Sequence, residues 1–141
     1  MELVIAKEYS DITGLRYSNI MDYSGEDFYH KKLNEAFANA YRNGEELVLV
    51  FDGSLDGYSP SFVDEAIGNL VFDFSLAEVE KRLKIVSKND ARWLKLVCET
   101  TYPAWEKRRI NKQEPTITES HGPWYRLVNG RLEEKIWIEY S

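Results

Sequence analysis

One stretch decides the fold, and from Leu47 to Val71 it reads LVLVFDGSLDGYSPSFVDEAIGNLV. It opens with five consecutive apolar residues, Leu47 to Phe51, which is typical of a strand covered on both faces, and such strands are mostly central and parallel. The segment 52–58 is rich in turn-forming residues, so a loop is predicted there. Ser59-Pro60-Ser61 then supplies two N-caps and a proline suited to a first helical turn. The apolar residues after it recur at helical spacing: Phe62, Val63, Ala66, Ile67, Leu70 and Val71.

The composition is that of an ordinary globular protein. The chain has 141 residues, of which 43% are hydrophobic and 30% charged, and this size fits one domain. The net charge of -6 argues against broad binding to nucleic-acid phosphates. The apolar runs are too short to span a membrane, and MELVIAKEYSD lacks the layout of a signal peptide, so we expect a cytoplasmic protein. The single Cys98 lies in an apolar helical pattern, which predicts a buried core thiol.

Further strands and helices alternate on both sides of the central stretch. Leu3–Ala6 predicts a first strand, and a helix capped by Ser24 is predicted to run to about Arg42, where Asn-Gly follows. Leu83–Ser87 predicts another strand, and the helix after it is expected to end before Pro103. This alternation favours a layered α/β domain whose central strands are parallel.

The tail differs in character from the rest of the chain. Its basic run within 104–112 is typical of a solvated helix end, with an anionic partner as the alternative. Asn129-Gly130 separates two β-like runs, which strongly predicts a hairpin. Five aromatic residues either complete the core, which we favour, or form an interface: Trp105, Trp124, Tyr125, Trp137 and Tyr140.

No catalytic constellation is apparent in the sequence. His30 and His121 are far apart and have no spaced carboxylate or cysteine companions, so we expect neither a metal centre nor a cofactor. Four acidic residues follow a predicted parallel strand at its carboxyl end, where open α/β sheets bind ligands: Asp52, Asp56, Asp64 and Glu65. A small-ligand or divalent-ion site at the Asp52–Asp56 loop is therefore an alternative to simple turn and helix-start roles.

Three segments resemble the STAS-like family of small bacterial and phage-associated domains of unknown function. They are Gly14–Tyr17, Ser24–Phe28 and, chiefly, Tyr58–Gly68, and the resemblance covers about residues 1 to 100. It implies a STAS-like α/β fold over residues 1–102, with a mixed sheet of about four to five strands and helices packed on it. Residues 103–141 would then add a basic helix or loop and a C-terminal β-hairpin extension, packed on the same domain.

The resemblance also implies a phosphorylation site. Members of the family look like distant relatives of anti-sigma-factor antagonists, in which a partner kinase with a histidine-kinase-like ATPase fold phosphorylates a serine at the start of this helix. The matching residue is Ser61, with Ser59 as the second candidate, and capping the helix is the plainer role for both. This chain departs from the antagonist pattern in having Ser59 in place of an aspartate and Phe62 in place of a glycine.

The leading hypothesis is a non-enzymatic bacterial regulatory or protein-binding module. Its partner would dock on the loop and helix start, through Asp56, Tyr58, Phe62, Asp64 and Glu65. Arg16 is expected to be solvated, with an anion contact as the alternative. A second hypothesis is an inhibitor encoded by a phage or mobile element, with an acidic, aromatic binding surface. A third is a small-ligand or metal-dependent enzyme at the Asp52–Asp56 loop. We expect a protein partner, and neither a membrane nor a nucleic acid.

Overall fold

The sheet at the centre of the protein has three parallel strands. The computed structural model describes all residues from Met1 to Ser141. Leu49 lies opposite Leu3 on one side and Ile85 on the other, so the strand that contains it is central, as its apolar run predicted. In spatial order the strands are β1 (Glu2–Val4), β2 (Leu47–Val50) and β3 (Leu83–Val86).

The α/β class is confirmed, but the expected mixed sheet of four to five strands is wrong. The remaining two strands, β4 (Trp124–Val128) and β5 (Arg131–Lys135), pair antiparallel with each other in a separate hairpin. Residues 9–24 contribute no strand, because loop hydrogen bonds such as Gly14 N–H to the Tyr23 carbonyl hold this segment in an irregular path. The hairpin turn is the predicted one, with Asn129 at φ 52° and Gly130 at φ 78°.

The first long helical segment covers the stretch predicted from its caps. The short α1 (Ile5–Glu8) follows β1, and α2 (Gly25–Phe28) continues through a π-helical segment, Tyr29–Leu33, into α3 (Asn34–Asn43). The Ser24 hydroxyl accepts a hydrogen bond from Asp27 N–H at the start, and Gly44 adopts the left-handed φ of 66° at the end.

The central helix is α4 (Pro60–Phe74), and α5 (Leu76–Arg82) follows it. Every residue of α4 from Glu65 to Phe74 is buried, because the helix packs against the first helical segment, the C-terminal helical segment, α5 and β4 of the hairpin. Gly68 faces Trp105, and a Cβ atom at this position would overlap the indole ring. The glycine therefore permits close contact between α4 and the C-terminal helix.

The C-terminal helix does not end before Pro103, as the sequence had suggested. Continuous helix runs through α6 (Arg92–Leu96), a π-helical segment (Val97–Thr101) and α7 (Tyr102–Ile110). Pro103 lies in the first turn of α7, directly after the π-helical segment, and a proline is tolerated in a first turn. The predicted domain boundary at residue 102 falls within this continuous helix and stays a prediction.

The core contains 26 buried apolar residues. Trp105 and Trp124 are among them, Tyr125 and Trp137 pack against it, and Tyr140 is 53% exposed, so the aromatic residues of the tail mostly complete the core. Cys98 is exposed, and the prediction of a buried thiol is wrong, because the buried positions of this helical segment fall at residues 93, 97, 101, 102 and 105. None of the helices is both long enough and apolar enough to cross a bilayer.

Candidate functional site

Ser59 caps α4, whereas Ser61 does not. The Ser59 Oγ atom accepts a hydrogen bond from Phe62 N–H at 3.1 Å and donates one to the Gly14 carbonyl at 3.1 Å. These two bonds fix Ser59 as the N-cap and join it to the segment before the first long helix. The Ser61 hydroxyl is half-buried, and its one hydrogen-bond partner is the Ser59 Oγ atom at 3.3 Å.

Tyr58 and Phe62 belong largely to the interior. The Tyr58 hydroxyl donates to the Phe51 carbonyl at 2.7 Å, and its ring stacks near that of Phe62, with centroids 5.6 Å apart. Burial raises the pKa of Tyr58 to about 12. The Phe62 side chain is 1% exposed, so it packs in the core at the start of α4 and does not face solvent.

The two aspartates of the Asp52–Asp56 loop have different surroundings. The Asp52 carboxylate accepts hydrogen bonds from Lys88 N–H and Asn89 N–H, which lower its pKa and join the loop to the end of β3. Asp56 is exposed. No group of three or more histidine, cysteine, aspartate or glutamate side chains is arranged to hold a metal ion.

Arg16 is paired with carboxylates of its own chain. Its Nη1 atom lies 2.8 Å from Asp64 Oδ2 and 3.1 Å from Glu65 Oε1. Asp64 also accepts hydrogen bonds from the Thr101 hydroxyl and the Trp105 indole N–H. The predicted docking residues Asp64 and Glu65 therefore form a clamp with Arg16 that links the loop before α2 to α4 and to the C-terminal helix.

Three polar residues within α4 are buried, and their role was not predicted from the sequence. Glu65, Asn69 and Asp73 are each less than 5% exposed. Their four-residue spacing on an otherwise apolar helix was the signal that could have revealed them. The Glu65 carboxylate accepts a hydrogen bond from Asn69 at 2.8 Å. Burial raises the pKa of Glu65 to about 7, although the hydrogen bonds from Asn69 and Arg16 lower it in part.

Asp73, the C-terminal residue of this polar row, binds the hairpin. The Asp73 carboxylate accepts hydrogen bonds from the Tyr29 hydroxyl at 2.5 Å and from Arg126 Nε at 2.7 Å. Burial raises the pKa of Asp73 to about 6 against the opposing effect of Arg126. The Asn34 side chain bonds both the N–H and the carbonyl of Tyr125. Side chains of two helices thus hold β4 in place.

The two histidines are far apart in the sequence but in contact in the structure, and a carboxylate lies beside them. The rings of His30 and His121 stack with centroids 3.8 Å apart and planes 13° apart. His121 Nε2 lies 2.7 Å from Glu26 Oε2, and Glu26 also accepts hydrogen bonds from the Thr118 N–H and hydroxyl. Burial opposes ionisation of Glu26, but the hydrogen bonds from His121 and Thr118 outweigh it and lower its pKa to about 2.

Three apolar side chains are exposed beside the start of α4. Leu55 is 67% exposed, Ile12 48% and Leu15 43%. The Leu55 N–H donates to the Asp11 carbonyl at 2.8 Å, and the Gly14 carbonyl accepts from Ser59, so the two loops that carry these side chains are joined. They form one surface, defined here as the α4-start surface: Ile12, Leu15, Leu55, Asp56 and Ser61.

Comparison with known proteins agrees with this architecture. Residues 24–93 match the model of a family described as a STAS-like domain of unknown function. No curated protein and no solved structure matches the chain. The match contains two of the segments on which the resemblance rested, Ser24–Phe28 and Tyr58–Gly68, whereas Gly14–Tyr17 lies outside it. Through residues 24–93, which include β2, α4 and β3, the chain belongs to the family of STAS-like domains of unknown function.

Proposed function

We propose that this protein is a non-enzymatic regulatory or binding module that docks a protein partner on its α4-start surface. The observation that carries the proposal is the exposure of Ile12, Leu15 and Leu55 on two hydrogen-bonded loops. Clustered apolar side chains with polar neighbours are a common property of interaction sites. The mutual hydrogen bonds of the loops support a preformed surface, which lowers the entropic cost of docking.

A shallow groove extends this surface on the other side of Pro60. It has a volume of about 340 Å³, and its lining combines the apolar side chains of Pro60, Trp93 and Leu96 with two cations, Arg92 and Lys95, one carboxylate, Glu99, and Thr100. Because the cations outnumber the carboxylate, this lining favours a partner segment that carries an apolar side chain next to an acidic group.

Phosphorylation of Ser61 would act directly on the Arg16 clamp. Asp64 and Glu65 lie three and four residues after Ser61, so all three side chains project from the same side of α4. A phosphate adds between about 1.5 and 2 negative charges at neutral pH. It would repel the two carboxylates and compete with them for Arg16. The segment before α2 would then be released from α4, which provides a physical route for a phospho-switch.

The partner to test first is an ATPase of the histidine-kinase-like fold, as the family resemblance implies. The purified protein would be mixed with such an ATPase and ATP, and the complex measured by calorimetry and the modification by mass spectrometry. We expect the two proteins to form a complex. We also expect Ser61 to be phosphorylated, so that Ser61→Ala is not modified whereas Ser59→Ala still is. A partner that binds without modifying either serine would support the docking function and contradict the switch.

Docking itself is tested by placing a charge on the surface. Leu55→Glu should weaken the complex at least about tenfold, because an apolar contact is replaced by a desolvated charge. Ile110→Glu is the matched control, since Ile110 is 64% exposed at the far end of α7 and lies outside the surface. Equal affinities for the two variants would contradict docking at the start of α4.

A further inference from the structure

A second, polar cleft lies apart from the α4-start surface. It has a volume of about 550 Å³ and opens between residues 18–31 and the loop 119–122. This size is within the range of small-molecule sites, which is about 300 to 1,000 Å³. The stacked pair His30 and His121 forms part of its wall.

The charge of the cleft is negative. Its wall contains three carboxylates, Asp22, Asp27 and Glu119, and one cation, Lys31. Asp27 is already engaged, because it accepts a hydrogen bond from the Tyr9 hydroxyl and pairs with Lys31 at 3.2 Å. Asp22 and Glu119 make no side-chain hydrogen bond; Asp22 is exposed, and the Glu119 side chain is 45% exposed. The cleft therefore attracts cations and repels anions.

The imidazole of His121 presents an acceptor to this cleft. Its side chain is 7% exposed, and its Nε2 atom bonds the ionised Glu26 carboxylate, so in the neutral ring Nε2 carries the proton and Nδ1 the lone pair. Nδ1 has no hydrogen-bond partner, because Glu119 Oε1 lies 4.0 Å away. The wall of the cleft thus contains a nearly buried imidazole whose Nδ1 atom has no hydrogen-bond donor.

The two acceptor atoms His121 Nδ1 and Glu119 Oε1 are spaced so that one donor group can bond both. A nitrogen can lie about 2.9 Å from each of two acceptor atoms that are 4.0 Å apart, and its two N–H groups would then satisfy both. His30 adds a second imidazole whose Nδ1 is buried without a partner. Burial lowers the pKa of His30 to about 3, so this ring stays neutral and does not oppose a bound cation at physiological pH.

We propose that the cleft binds a small organic cation with N–H donors, an alkylamine or a guanidine, whose nitrogen is shared between His121 Nδ1 and the Glu119 carboxylate. The cation supplies the donor that His121 lacks and neutralises part of the acidic wall. The assignment is independent of the proposed partner at the start of α4, since the residues involved are different.

Calorimetric titration with putrescine tests the charge and the donor together. We expect a dissociation constant of about 1 mM or tighter. Tetramethylammonium, which has the same unit charge per nitrogen but no N–H group, should bind at least about tenfold more weakly. In NMR spectra the ¹⁵N signal of His121 Nδ1 should shift with putrescine and not with tetramethylammonium. Equal affinity for the two cations, or no binding of putrescine and of the peptide below, would overturn the proposal.

A matched pair of variants locates the site. Glu119→Gln should weaken putrescine binding about fivefold or more, since two opposite charges 4 Å apart interact even in water. Glu45→Gln changes the net charge equally, but Glu45 is exposed just beyond α3 and outside the cleft, so it should have no effect. Equal weakening by both variants would show a general charge effect and contradict the site.

The source of the cation is distinguished with a short peptide, acetyl-Gly-Arg-Gly-amide. Binding of putrescine alone would assign the cleft to a free small amine. Binding of the peptide alone would assign the same chemistry to an arginine side chain. In either case the Nδ1 shift of His121 must accompany binding, and binding without this shift would overturn the proposed contact.

Discussion

The buried carboxyl group of Glu65 should make the stability of this protein depend on pH. Glu65 is 1% exposed, and burial raises its pKa from 4.5 to about 7 despite its contact with Arg16. A carboxyl whose pKa is higher in the folded state favours folding when it is protonated. Its stabilising contribution is complete below about pH 4.5 and is lost as the pH rises through about 7.

The size of this loss follows from the two pKa values. Each pH unit between them corresponds to about 1.4 kcal/mol, so the free energy of unfolding should fall by at most about 3 kcal/mol between pH 5 and pH 8. Glu65→Gln keeps the shape and an acceptor for Asn69 but removes the titration. Relative to the native protein, the variant should therefore become more stable by about 2 to 3 kcal/mol across this range.

Urea unfolding at pH 5, 6, 7 and 8, followed by tryptophan fluorescence, measures the effect. The difference between the variant and the native protein is the informative quantity, because Asp73, with a pKa raised to about 6, contributes a slope of the same sign to both. Glu45→Gln, on an exposed residue, is the control and should follow the native profile. A difference between Glu65→Gln and the native protein that is the same at pH 5 and pH 8 would refute the reasoning.

Two further predictions concern α4. Ser59→Ala should lower the free energy of unfolding by about 1 kcal/mol through loss of the N-cap, whereas Ser61→Ala should change it by less than about 0.5 kcal/mol; equal losses in urea unfolding would contradict the assignment of the cap. Gly68→Ala should cost about 1 to 3 kcal/mol, because the added methyl group overlaps the Trp105 ring, while Gly122→Ala, with no atom within 4 Å of the new Cβ, should cost far less in the same assay.

The parts of the fold that were predictable depend on local signals. The central strand, the capped start of α4 and the hairpin each follow from neighbouring residues, because apolar runs, N-caps and Asn-Gly turns act within a few positions. The strand count was not predictable in this way. Whether β4 and β5 join the main sheet depends on where the hairpin docks, and Asn34 and Asp73 decide this from 91 and 53 residues away.

The contacts of the site were less predictable for the same reason. No residue near Arg16 in the sequence indicates that it pairs with Asp64, which lies 48 residues later. A solvated arginine was therefore the reasonable expectation. The pair Glu26 and His121 is separated by 95 residues. Pairing over such distances is set by tertiary packing, which a single sequence does not reveal. The polar residues at positions 65, 69 and 73 were the one available hint of a buried network.

The segment from Gly14 to Ser18 connects the α4-start surface with the polar cleft. At one end, the Gly14 carbonyl accepts a hydrogen bond from the Ser59 hydroxyl, and the Arg16 side chain forms an ion pair with Asp64 of α4. At the other, the Ser18 N–H donates a hydrogen bond to Glu26, the same carboxylate that contacts His121 in the wall of the cleft. A change that displaces Arg16 therefore moves a segment whose far end supports Glu26. Coupling between a partner at α4 and a cation in the cleft would be reciprocal, so each should alter the affinity of the other by the same factor.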